Sequence, residues 1–136
     1  MILRYVSSLI FFLMLLGCSD NAIVKVDEKA LTQGSLPCMR LMIFPPHEQM
    51  QDDFESLYPF TQTCEYMLRI SYKSHIVCNV TTNADKKALG MQNAYLRLEL
   101  LKQQKLLLSY YKDLESAPDR TSIEDAFSSV EPYLIH

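Results

Sequence analysis

From Tyr66 to Lys73 the chain reads YMLRISYK, and Tyr66, Leu68, Ile70 and Tyr72 alternate with Arg69, Ser71 and Lys73; Met67 is the one departure. An apolar period of two belongs to a strand that buries one face and wets the other. This constrains the fold more than any other feature, because it calls for a sheet covered on one side. After Lys73-Ser74-His75, the apolar residues Ile76, Cys78 and Val80 again recur at every second position. A three-residue loop would pair Tyr72 with Ile76, Ile70 with Cys78 and Leu68 with Val80. Both apolar sets would then share a face, so the sequence predicts a hairpin.

The other segments are read the same way. Leu36 to Phe44 is a short apolar run bounded by Pro37 and by Pro45-Pro46, which suits a buried strand. His47 to Tyr58 places Met50, Phe54 and Leu57 at spacings of four and three, with acidic residues in the early turns, as an amphipathic helix does. Asn93 to Leu114 is ambiguous. Its leucine, lysine, glutamine and glutamate favour helix by propensity, but on a helix its apolar residues leave no polar stripe. As strands, Leu96, Leu98 and Leu100 alternate with Arg97 and Glu99, Lys102-Gln103-Gln104-Lys105 makes a polar turn, and Leu107, Ser109 and Tyr111 fall opposite the first set. A second hairpin is favoured, with a long helix as the alternative. Beyond the break at Ala117-Pro118-Asp119, Thr121 or Ser122 is a cap for a helix carrying Ile123, Ala126, Phe127, Val130 and Leu134, with Pro132 fraying its last turn. The expected fold is α+β: a small antiparallel sheet of about five strands (two hairpins) with one or two helices packed on one face.

The chemistry is sparse. There is no Gly-x-Ser-x-Gly turn, no Cys-x-x-Cys pair and no glycine-rich phosphate loop, and His47, His75 and His136 fall in predicted turns or at the terminus. The carboxylates Glu48, Asp52, Asp53 and Glu55 read as the wet face of their helix. No catalytic residues, metal site or cofactor are expected. A formal charge of −3 argues against nucleic acid, and no lysine run points to anionic lipid. Eight tyrosines suit interfaces or half-buried sheet positions.

Residues 1–17 carry one charge, Arg4, ahead of a charge-free apolar run ending at Gly17-Cys18. The run is too short for a bilayer span of roughly 20 residues, and its layout is that of a secretory signal. Leu15-Leu16-Gly17-Cys18 resembles the lipobox of bacterial lipoproteins. The resemblance covers residues 1–18. It implies cleavage before Cys18, lipid on the Cys18 sulfur, and a membrane-anchored domain facing the periplasm. Ser19 after the cysteine favours the outer over the inner membrane. The organisation expected is then a signal at 1–17, a tether at 18–35 and a single domain at 36–136, with Ile23, Val24 and Val26 as a possible edge strand inside the tether.

Lipidation of Cys18 leaves Cys38, Cys64 and Cys78 in an oxidising compartment, where one disulfide is expected. In the hairpin register Cys64 would lie about 20 Å from Cys78, so Cys38 is expected in the bridge, with Cys64 preferred to Cys78 as its partner. These features together predict a non-catalytic envelope lipoprotein that binds another envelope protein. A module for lipid or a small molecule is the alternative.

Overall fold

The computed structural model describes residues 22–31, 35–74 and 94–134. The elements in chain order are β1 (Ile23–Val26), β2 (Arg40–Phe44), α1 (Glu48–Glu55), β3 (Tyr66–Lys73), β4 (Ala94–Lys102), β5 (Lys105–Leu114) and α2 (Arg120–Leu134). The strands form one five-stranded sheet in the order β1-β5-β4-β3-β2. The fold is α+β, as expected. It differs in one respect: the sheet is mixed, because β2 runs parallel to β3 while the other neighbours are antiparallel. The cause is the connection. A parallel pair needs a long crossover, and α1 with the loop after it supplies one between β2 and β3.

The hairpin expected after β3 is not what the sheet forms. β4 and β2 occupy both edges of β3, and Tyr72, Ile70 and Leu68 pair with Leu96, Leu98 and Leu100. Residues 76–80, the expected partners, lie outside the described residues. The alternation identified which side chains of β3 are buried but could not identify its neighbour, since any leucine-rich strand of matching period satisfies it.

The second hairpin forms, and the long-helix alternative does not. Gln103 and Gln104 make a two-residue turn with φ of 48° and 70°, the left-handed backbone that such turns require. Past the turn the register shifts between Leu100 and Leu101, so that Leu101 faces Leu106 while Leu100 faces Leu108. Leu107 is the extra residue of this β-bulge. A regular ladder would have set Leu107, Ser109 and Tyr111 against the β4 leucines. The bulge instead sets Leu108 against Leu100 and Tyr110 against Leu98, and it turns Ser109 and Tyr111 to the other side. Leu107 itself is buried, and its carbonyl accepts a hydrogen bond from the Asp27 amide (2.8 Å) just past β1.

Ile23–Val26, within the stretch expected as a tether, form the edge strand β1 on β5, and Leu31 beyond it is buried. One face of the sheet, carrying Leu68, Ile70, Leu96, Leu98, Leu100, Leu108 and Tyr110, forms the core. Met50 and Phe54 of α1 and Ile123, Phe127, Val130 and Leu134 of α2 belong to the same cluster, so both helices cover this face.

His47 caps α1, its Nδ1 accepting from the Met50 amide (3.1 Å). Asp119, rather than Thr121 or Ser122, caps α2. Its carboxylate accepts from the Ser122 amide, and the Ser122 hydroxyl accepts in return from the Asp119 amide (both 2.8 Å). That hydrogen bond to the backbone holds the Asp119 carboxyl below its ordinary range. The α2 helix also runs through Pro132 instead of fraying. Leu134 is buried, and its carbonyl accepts from the Leu36 amide (3.2 Å). Arg120 ties the helices together, reaching the buried Asp53 of α1 at 3.5 Å and Glu124 at 2.8 Å.

Cys38 and Cys64 are joined, with Cα atoms 5.9 Å apart. The pairing is the one preferred from the sequence, although the hairpin used to set Cys78 aside is not the one formed. Cys78 and Cys18 lie outside the described residues.

Three outcomes follow for folding. Leu107→Ala should cost about 2–3 kcal/mol in chemical denaturation, the usual loss for a buried leucine. Deleting Leu107 should leave a cooperative but less stable fold in the same denaturation experiment, because Leu106 and Leu108 become consecutive and stay opposite Leu101 and Leu100, so the ladder turns regular while Ser109 and Tyr111 still face outward. Cys38→Ser should cost about 3 kcal/mol, from release of the 26-residue separation that the bridge closes.

Candidate functional site: the uncovered sheet face

Partners across a sheet share a face, so the register assembles the side opposite the helices in rows. One row runs Phe44, Ser71, Arg97, Tyr111 and Ile23, from β2 to β1. The next runs Met42, Arg69, Glu99, Ser109 and Lys25. A third holds Arg40, Met67, Leu101 and Leu106, and a fourth Lys73, Tyr95 and Asp113. Both helices lie on the other side, so among the described residues this face is uncovered.

This face is basic. It carries five cations, Lys25, Arg40, Arg69, Lys73 and Arg97, against two carboxylates, Glu99 and Asp113. The other described residues hold five cations and twelve carboxylates, so the acidic excess lies elsewhere, with Glu48, Asp52, Asp53 and Glu55 all on α1. The face is also apolar at its two margins. Phe44 is 67% exposed and Met42 49% on the β2 side, Ile23 54% and Leu106 47% on the β1–β5 side. Exposed apolar side chains of this size at both margins make the face a candidate binding surface.

The centre is ordered by charge. Arg69 donates to one carboxylate oxygen of Glu99 from Nε (2.9 Å) and Nη2 (2.6 Å), directly across the β3–β4 pair. Arg97 lies over the rings of Tyr111 (5.4 Å) and Tyr95 (5.9 Å), which are stacked 5.7 Å apart. The Tyr111 hydroxyl donates to Asp113 (2.7 Å). That hydrogen bond, with burial and the Asp113 charge, pushes the Tyr111 pKa up to about 12 against the opposing effect of Arg97. Arg40 is less well served. Its Nη2 donates to the Met67 sulfur at 3.7 Å, a weak acceptor, and its buried Nε has no partner among the described residues.

Two depressions open on this face. The larger, about 640 Å³, is lined by Arg40, Met42, Cys64, Met67, Arg69 and Leu101, with Glu65, Gln103 and Gln104 also on its wall. The smaller, about 270 Å³, lies over Ile23, Lys25, Arg97 and Tyr111.

The residues singled out in the sequence fall in different places. Cys64 reaches the larger depression through its bond to Cys38. His47 is a helix cap, and His75, His136, Cys18 and Cys78 lie outside the described residues. Of the four α1 carboxylates Asp53 is buried and paired with Arg120, while Glu48, Asp52 and Glu55 are exposed. Among the described residues no three histidine, cysteine or carboxylate side chains gather as a metal would require, and no helix is long and apolar enough to cross a membrane. Sequence reasoning passed over the five cations and the exposed Met42 and Phe44. They are scattered from residue 25 to residue 97, and only strand pairing makes them neighbours.

Asp113→Asn should lower the tyrosinate titration of Tyr111 from about 12 towards the ordinary value of 10, read as ultraviolet difference absorbance against Tyr111→Phe. The raised pKa means the protonated phenol favours the fold below about pH 10, and this contribution is lost as the pH rises through about 12. No family model matches this chain, and no curated protein or solved structure matches it significantly.

Proposed function

We propose that this chain is a non-catalytic accessory lipoprotein of a bacterial envelope, anchored through lipid on Cys18 and facing the periplasm. It binds another envelope protein through the uncovered face of its sheet. The observation that carries the binding role is the face itself: exposed Phe44, Met42, Ile23 and Leu106 frame an arginine-rich centre, while both helices lie behind the sheet. Arginine and aromatic side chains beside exposed apolar groups are the composition of protein-binding surfaces. The anchor rests on the lipobox resemblance at Leu15-Leu16-Gly17-Cys18, and Ser19 favours the outer membrane.

β1 sharpens the geometry. It begins at Ile23, so four residues separate Cys18 from the sheet, a reach of about 14 Å when extended. A domain tied this closely samples partners embedded in, or lying on, the membrane that holds it. A lipid or small-molecule module draws less support. It calls for space between sheet and helices, whereas Phe54, Phe127, Tyr110 and the β4 leucines pack together there and the two depressions described above lie on the opposite face.

Cross-linking in native envelopes should capture a specific envelope protein with the full-length chain. The yield should drop strongly with Cys18→Ala and with Phe44→Ser, which leaves the buried side untouched. Capture unaffected by Phe44→Ser would place the partner elsewhere on the domain. A mature protein whose intact mass lacks lipid would remove the anchor.

A further inference from the structure

We infer that the larger depression is a receptor for a carboxylate on an acidic, partly apolar segment of the partner, with Arg40 as its principal anchor. This rests on the reading above that the uncovered face binds protein, and it names the chemistry that the face selects.

Arg69 is committed to Glu99, and Arg97 is stacked over two tyrosine rings. Arg40 has a buried Nε without an acceptor and a terminal nitrogen resting on a thioether. A guanidinium is always charged, and its fork of donors matches a carboxylate. Among the described residues it is the one arginine of the face with neither a carboxylate nor a ring at its guanidinium, and because its Nε is buried, a carboxylate entering the depression would meet its terminal nitrogens.

The surroundings define the rest of the ligand. Met42, Met67 and Leu101 line the same depression, Leu101 only 7% exposed and Met42 49%. Methionine repacks readily around apolar groups of varied shape. Gln103 and Gln104 add amide donors and acceptors at one rim. A carboxylate beside apolar side chains suits this lining, as in an acidic strand or an acidic chain terminus.

Charge complementarity acts over a longer range. Five cations against two carboxylates on the face attract an acidic segment, and the acidic remainder of the domain turns such a segment away from the helix side. A lipid headgroup fits less well. A phosphate shares the charge of a carboxylate, but a headgroup alone leaves the apolar lining of Met42, Met67 and Leu101 without a partner.

The test uses the full-length protein in detergent and a fluorescein-labelled peptide alternating glutamate with leucine. Fluorescence anisotropy should show binding that weakens with added salt. Arg40→Gln should weaken it about tenfold or more, as loss of a charge-assisted pair does, and Arg40→Lys should restore it in part. Met42→Glu, at an exposed position that disturbs no core packing, should weaken it as well. No binding of this peptide, equal binding of the peptide with lysine in place of glutamate, or affinity unchanged in both Arg40→Gln and Met42→Glu would overturn the inference. Arg40-dependent binding of the Cys18→Ala protein to phosphatidylglycerol vesicles, without peptide binding, would reassign the site to lipid. Concentration-dependent self-association that Arg40→Gln abolishes would reassign it to the acidic helix side of a second copy. Envelope capture that survives Arg40→Gln would overturn this site and leave the accessory role standing.

Discussion

One extra residue in β5 sets what each side of this sheet presents. Side chains along a strand alternate, so a shift of one residue exchanges the buried set for the exposed set. The bulge at Leu107 makes that shift between the hairpin turn and the middle of β5. It sends Leu108 and Tyr110 into the core and brings Ser109 and Tyr111 out beside Glu99 and Arg97. Everything that stacks on β5 inherits the choice. β1 pairs Val24 with Tyr110 and Val26 with Leu108, leaving Ile23 and Lys25 on the uncovered face. The carbonyl released from the ladder at Leu107 accepts from Asp27, so the irregularity and the edge strand support each other.

The second determinant is that cover is one-sided. Two helices with apolar faces meet the β3, β4 and β5 core residues, and Arg120 holds the helices together through the buried Asp53. Among the described residues the other side of the sheet has no such layer, and pairs within the face order it. The Arg69–Glu99 bridge across β3 and β4 and the Arg97 stack on Tyr95 and Tyr111 are of this kind. Cross-strand pairs are worth only a few tenths to about 1 kcal/mol each. That suffices to orient a surface, and it leaves Met42, Phe44, Ile23 and Leu106 exposed at the margins. A plate with an ordered basic centre and apolar borders is suited to recognition.

Several features were legible because they are local. The apolar alternation of β3, the helical spacing of Ile123, Phe127, Val130 and Leu134, and the polar turn at Lys102–Lys105 each depend on residues near one another in the chain. The disulfide partner was also reachable, although the hairpin behind that argument did not form. Where the reading failed, the competing term was non-local. β3 took β4 and β2 as neighbours in place of residues 76–80, and α2 ran on through Pro132 because Leu134 is buried and bonded to Leu36. The basic face was invisible for the same reason: the sequence holds no cationic run, yet the sheet assembles five cations on one face.

The sequence alone determined the α+β class, the buried positions of β3 and β4, and the candidate lipid anchor at Cys18. These follow from periodicity and short motifs, which are properties of neighbouring residues. Tertiary structure alone decided the strand order, the parallel placement of β2, and the bulge that orients β5. It thereby decided which arginines and tyrosines share the uncovered face. The physical reason is that pairing between strands is chosen by burial across the whole sheet, and no single strand carries that information.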